Sequence, residues 1–324
     1  MERLIGERQR WAWIAAALSS VAAICLSRYS WPWVALGCVL VTGYYLYMDR
    51  RVPSEGLAVW SEKHMGIPGK LLLGVMLVWN VAAMAWAASL ADAAFPMVDG
   101  FPVLSWVLLA VAAWGSVKGI GACARCSGVL CLLLLGLYGA VIVFAVPDIK
   151  WENLQVIGKP EDTIWCAGLF LPVAGIWYLP CQATRKTPAW GMGILIPAFS
   201  VMLSVITAGV LSPALAASRT VPFYDVAQSV SLFGVIERIE PLLSAAMTMG
   251  LFALLSIQVS VCQALAEAFK PWRYYGVLCC VVAGALLTIG RIMTVEILTA
   301  GGWLVWFGIP VITLVLRGKS RDNP

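Results

Sequence analysis

The sequence predicts an all-α integral membrane protein with about ten transmembrane helices and both termini in the cytoplasm. Three observations carry that prediction. The 324-residue chain is 61% hydrophobic and only 12% charged, with a mean hydropathy of +0.87. Ten apolar stretches approach the thickness of a bilayer core. The basic residues sort onto alternate connections between those stretches. In hydrocarbon every backbone N–H and C=O must be satisfied internally, so such stretches form helices.

The spans read as Trp11–Leu26, Trp31–Met48, Leu71–Leu90, Val103–Trp114, Val129–Val146, Ile164–Gln182, Gly191–Leu211, Leu242–Leu265, Val277–Leu287 and Gly302–Leu316. An even number of spans puts the termini on one side. Connections on that side hold Arg3, Arg8, Arg10, Arg50, Arg51, Lys63, Lys70, Lys118, Arg125, Arg185, Lys186, Lys270, Arg273, Arg317, Lys319 and Arg321. The other side holds Arg28, Lys150, Lys159, Arg219, Arg238 and Arg291. Sixteen of the 22 Lys and Arg residues thus mark the first side as cytoplasmic. Trp11, Trp31, Trp151, Trp190, Trp272 and Trp303 sit near span ends, where amphipathic rings prefer the headgroup zone.

The net charge of +5 fits a cytoplasmic belt facing anionic lipid and calls for no nucleic-acid partner. Arg3, Arg8 and Arg10 ahead of an apolar run look superficially like a signal peptide. No small-residue cleavage site precedes a soluble domain and further spans follow at once, so the segment reads as a retained first helix. The longest outer connection, Ser212–Pro241, is too short to bury its own core. The expectation is one polytopic domain, 1–324, with helices 1–5 over about 11–147 and helices 6–10 over about 163–316.

Cys25, Cys38, Cys131, Cys166, Cys262, Cys279 and Cys280 fall within spans, where Cys acts as a small hydrophobe. Cys123 and Cys126 form a C-x-x-C on a connection. Neither a thioredoxin-like context nor a second ligand pair accompanies them, and the one histidine, His64, is distant in sequence. No metal site and no cofactor is expected. An enzyme is not expected either, since no buried carboxylate pair, histidine cluster or nucleophile elbow is present in the sequence.

After helix 2, Pro53-Ser54-Glu55 is a helix-start signal, with Ser54 able to cap and Glu55 suited to the positive helix end. The segment to Gly66 reads as a short interfacial helix or as a solvated loop. In the outer segment, Val226, Val230, Phe233 and Ile236 recur at helical spacing, which favours packing across the outer mouth. Helix 6 contains Pro172, Gly175 and Pro180. Proline removes a helix hydrogen bond and clashes with the preceding turn, so a kink or unwound stretch is expected there. Interrupted helices in carriers built from inverted repeats expose backbone groups that bind substrate at mid-membrane; the alternative is a kink filled by neighbours. A matching break in helix 1 is not evident, since only Ser19-Ser20 interrupt its Ala-rich stretch. Mid-helix polar residues are few: Asn80, Gln258 and scattered Ser and Thr. No mid-helix carboxylate is present to partner a proton or sodium ion, which argues mildly against strong ion coupling. The ligand site is therefore expected at Pro172 and Gly175, facing Ser19, Ser20, Asn80 and Thr248.

Two stretches resemble the spore germination permease family, the B-subunit type of nutrient germinant receptors (GerAB-like). The first is Lys118-Gly119-Ile120 with Arg125, Leu133–Leu137, then Val146-Pro147-Asp148-Ile149 and Asn153-Leu154. The second is Phe233-Gly234-Val235-Ile236-Glu237-Arg238-Ile239-Glu240, similar to that family's start of helix 8. Ile5-Gly6-Glu7-Arg8-Gln9, and Arg51-Val52-Pro53 with Met65-Gly66, are similar to its opening and its helix 2–3 connection. The sequence departs from the family at helix 1, where Ala15–Cys25 lacks the usual Gly and Pro, and the chain is shorter than is usual there.

The resemblance implies an amino acid–polyamine–organocation superfamily fold of LeuT type, a 5+5 inverted repeat. It implies sensing of a small nutrient, such as an amino acid, at the inner membrane of a spore. A larger A-type membrane subunit and a C-type lipoprotein would be partners. An amino-acid or amine transporter of the same superfamily is the alternative. By their own chemistry, Glu237 and Glu240 share one helix face beside Arg238 and complement the helix dipole, with Pro241 in the first turn. They read as a well-capped helix start or as an inter-subunit assembly or gating element.

Overall fold

The computed structural model describes residues 5–94, 102–156, 158–182, 190–229, 240–290 and 293–321. The first span is α1 (Glu7–Cys25), prolonged by a 3₁₀ turn at Leu26–Arg28. Its Ala-rich sequence gives no polar face, and it is buried on nearly every side. Small side chains let neighbouring helices approach closely, which is the packing mode that hydrocarbon rewards. The second span is α2 (Trp31–Arg51).

The third span belongs to α3 (Gly56–Ala94), which is two helices joined at Gly66, where φ is 59° and ψ −131°. That backbone conformation suits glycine, and Pro68 fits the first turn of the helix that follows. The segment 56–65 is thus the helical alternative of the two expected for this connection. The start differs in detail: it falls at Gly56, and the Ser54 carbonyl accepts a hydrogen bond from the Cys181 N–H at 2.8 Å instead.

Helices α4 (Val103–Lys118) and α5 (Ile120–Ala145) meet across a single residue, Gly119, at φ 92°. α5 therefore begins nine residues earlier than hydropathy suggested. Cys123 and Cys126 lie on its first turns rather than on a connection; Cys123 is buried and Cys126 exposed. The seventh span is α7 (Trp190–Leu211), followed by short outer helices α8 (Pro213–Ser218) and α9 (Pro222–Ser229). Phe223, Val226 and Ala227 of α9 are buried, so this stretch packs onto the bundle.

The eighth and ninth spans are α10 (Glu240–Glu267) and α11 (Tyr275–Thr288). The tenth runs from α12 (Val295–Gly302) through a π-helical stretch, Trp303–Gly308, into α13 (Ile309–Arg321). It starts before the expected Gly302. Gly301 lies inside this span, and Trp79 packs so closely on it that a Cβ there would lie 2.0 Å from the ring.

The perimeter exposes Leu36, Val39 and Leu40 on α2, Val107, Val111 and Trp114 on α4, and Leu132, Leu133 and Val143 on α5. So much exposed apolar surface fits a lipid-facing wall. Inside it, α1, α3, α10 and the sixth span form the centre.

Candidate functional site: a broken sixth helix

The sixth span starts as α6 (Asp162–Phe170) and continues as an eight-residue 3₁₀ stretch, Leu171–Tyr178. Leu179 is extended, and Cys181–Gln182 (β2) pairs in parallel with Ile5–Gly6 (β1). Runs of 3₁₀ longer than three or four residues are uncommon. Pro172 supplies the cause, since it lacks the N–H that an α-helical ladder needs at that position. Nine α-helical residues rise roughly 14 Å and eight 3₁₀ residues roughly 16 Å, so the segment crosses about 30 Å with few residues. All eight 3₁₀ residues are buried.

Adjacent tyrosines of α2 secure this discontinuity and the one in the tenth span. The Tyr45 hydroxyl donates to the carbonyl of Phe170, the last α-helical residue of the sixth span, at 2.7 Å. The Tyr44 hydroxyl donates to the carbonyl of Trp306, within the π-helical stretch, at 2.6 Å. Where a helix changes register its carbonyls lose good intrahelical geometry, and a buried carbonyl requires a substitute donor. The inner end of the 3₁₀ stretch is closed by charge. Arg10 of α1 bonds to Asp49 of α2, and its guanidinium lies 4.6 Å over the Trp177 ring.

Facing the 3₁₀ stretch, α10 presents its main chain to Asn80. Asn80 of α3 donates through Nδ2 to the Gln258 carbonyl at 2.7 Å and to Cys262 Sγ at 3.2 Å. Gly175 packs on Val261, one turn from Gln258; a Cβ at Gly175 would lie 3.2 Å from the valine methyls. Both residues are fully buried, yet Asn80 Oδ1, Gln258 Oε1 and Gln258 Nε2 have no hydrogen-bond partner among the described residues. Native interiors seldom leave such groups unpaired, because each costs about 1–3 kcal/mol. Two acceptors and a two-proton donor near a broken helix are thus left without a protein partner among the described residues.

The residues expected from sequence divide into two groups along α10. Asn80 and Gly175 meet near Gln258, with Pro172 one 3₁₀ turn before Gly175. Ser20 lies toward the outer side, 3.4 Å from the Tyr138 hydroxyl and against Gly250, where a Cβ would lie 1.5 Å from Ser20 Oγ. Gly250 and Gln258 are eight residues apart, about 12 Å along the helix. Ser19 bonds back to the Ala16 carbonyl at 2.9 Å, and Thr248 to the Ser244 carbonyl at 2.8 Å. Glu237 and Arg238 lie outside the described residues; Glu240 opens α10, and its side chain is likewise outside them. Sequence reasoning noted Gln258 as a rare mid-helix polar residue without placing it in the site. It passed over the Tyr44-Tyr45 pair, whose signal was two hydroxyls inside an apolar span.

No protein-family profile matches the chain, and no curated protein sequence matches it. Solved structures do. A Na+-coupled sialic acid symporter, described as substrate-bound and outward-open, aligns with a TM-score of 0.65 over 96% of this chain and 77% of its own, at 13% identity. Mhp1, a nucleobase-cation-symport-1 family transporter in a closed conformation with bromovinylhydantoin bound, aligns with a TM-score of 0.61 over 97% and 78%, at 11% identity. The chain therefore has the LeuT-type fold of an all-α integral membrane protein. At such identity the likeness carries the fold alone, and the spore germination resemblance rests on its motifs.

Proposed function

We propose that the chain is a permease of LeuT-type architecture that takes a small polar nutrient, such as an amino acid, at the break in its sixth span. The observation that carries this reading is the pair of buried, unpaired amides of Asn80 and Gln258 beside the 3₁₀ stretch. Pro172 and Gly175 shape the break, and Ser20 with Tyr138 packs on its outer side. The whole chain is taken as a single polytopic domain of two five-helix halves, without a catalytic role. The finer reading follows the sequence motifs: a ligand-sensing subunit of a nutrient germinant receptor in the spore inner membrane, partnered by an A-type subunit and a C-type lipoprotein. In that reading Glu237, Arg238 and Glu240 serve assembly or gating. The second reading is a carrier that turns over, favoured by the two symporters among its structural neighbours.

The test uses the purified full-length chain, a panel of radiolabelled amino acids, and proteoliposomes. Asn80→Leu and Gln258→Leu should each weaken binding at least about tenfold, the loss expected for one buried amide contact. Accumulation in proteoliposomes selects the carrier; saturable binding without accumulation, together with co-purification of an A-type subunit, selects the sensor. Undiminished binding in both variants would refute the site.

A further inference from the structure

A cavity of about 350 Å³ opens on the side opposite the termini, where four span ends meet. Arg28 and Tyr29 come from the end of the first span, Trp86 from the outer part of α3, Asp162 and Trp165 from the start of α6, and Glu296 from the first turn of α12. Its volume is within the range of small-molecule sites. It is separate from the amide site: Asn80 lies six residues from Trp86 along α3, about 9 Å deeper.

The charges in this cavity do not satisfy one another. Among the described residues, Arg28, Asp162 and Glu296 form no ion pair with each other. Arg28 Nε is shielded from solvent and has no hydrogen-bond partner among the described residues. Asp162 Oδ2 accepts the Lys159 N–H at 3.0 Å, which holds the carboxylate in place. Glu296 is exposed at the rim. A simple anion in this cavity would meet two carboxylates, and a simple cation would meet a guanidinium. A ligand with both charges answers both, its carboxylate toward Arg28 and its ammonium toward Asp162 and Glu296. Trp86 and Trp165 supply faces for the ammonium and for an apolar side chain.

We propose that this cavity is an outer recognition site for zwitterionic amino acids, distinct from the mid-membrane amides. The inference holds for a sensor and for a carrier, and does not rest on the Asn80–Gln258 site.

The purified full-length chain is titrated with each common L-α-amino acid, followed by tryptophan fluorescence and calorimetry. At least one should bind saturably, and its decarboxylated and deaminated analogues should bind at least about tenfold more weakly, the weight of one charge-assisted contact. Arg28→Gln and Glu296→Gln should each weaken that binding at least about tenfold. Glu296 is exposed, so its variant keeps the test sound if Arg28→Gln fails to fold. Gln258→Leu should retain a binding event that Glu296→Gln removes. The proposal is overturned if no amino acid binds, if a single-charge analogue binds as tightly, or if Glu296→Gln is silent. Silence there combined with loss in Gln258→Leu would overturn the outer site and leave the mid-membrane site standing.

Discussion

Replacing Tyr45 with Phe removes one hydroxyl and almost nothing else. The ring keeps its edge contact with Trp177, at 6.1 Å between centroids. What is lost is the donor to the Phe170 carbonyl, at the point where the α-helix gives way to 3₁₀. An unpaired buried acceptor costs about 1–3 kcal/mol in a protein interior. Interhelical hydrogen bonds in membranes average about 0.6 and reach about 1.7 kcal/mol, because the unfolded segment also finds partners. The two ranges overlap at about 1–2 kcal/mol, which is the loss expected for Tyr45→Phe. Tyr44→Phe should lose a similar amount through the Trp306 carbonyl. The assay is reversible unfolding in mixed micelles by added SDS, followed by tryptophan fluorescence. Tyr47→Phe is the control, since that ring is 44% exposed. If both variants unfold within about 0.3 kcal/mol of the parent, the breaks are held without α2 and the reasoning fails.

Gly250→Ala drives a methyl into Ser20, so it should destabilise by about 1–3 kcal/mol, and adding Ser20→Gly should recover most of that in the same assay. Asp49→Asn leaves the Arg10 charge buried and should cost about 3 kcal/mol or more, whereas the paired Arg10→Met, Asp49→Leu change should cost far less. Cysteines placed at Trp151 and at Lys270 should label from opposite faces of right-side-out vesicles; labelling from one face would contradict the topology.

Hydropathy made the spans legible, because the bilayer imposes one rule on every segment. Boundaries failed where a local signal had another cause. Gly119 marks a one-residue turn rather than a long connection, so α5 was read short. The tenth span starts at Val295, ahead of Gly302, and Gly301 within it admits Trp79. The break in the sixth span was legible from Pro172, whose missing N–H acts locally. The grouping of site residues was not: Asn80 and Gln258 are 178 residues apart, and only packing shows that they meet. Nor does sequence tell that the Ser19 and Thr248 hydroxyls are spent on their own helices. The outer charges Arg28, Asp162 and Glu296 are far apart in sequence, and only packing gathers them round one cavity.

Backbone amide exchange across 171–178, with and without a saturating amino acid, tests the central claim most directly. Ligand held at the break should slow exchange in 173–178 and in the facing 256–262 stretch of α10, and Gln258→Leu should abolish both effects. Unchanged exchange in those stretches, with protection confined to 160–165 and 293–297, would place the ligand at the outer cavity and contradict a site at the broken helix.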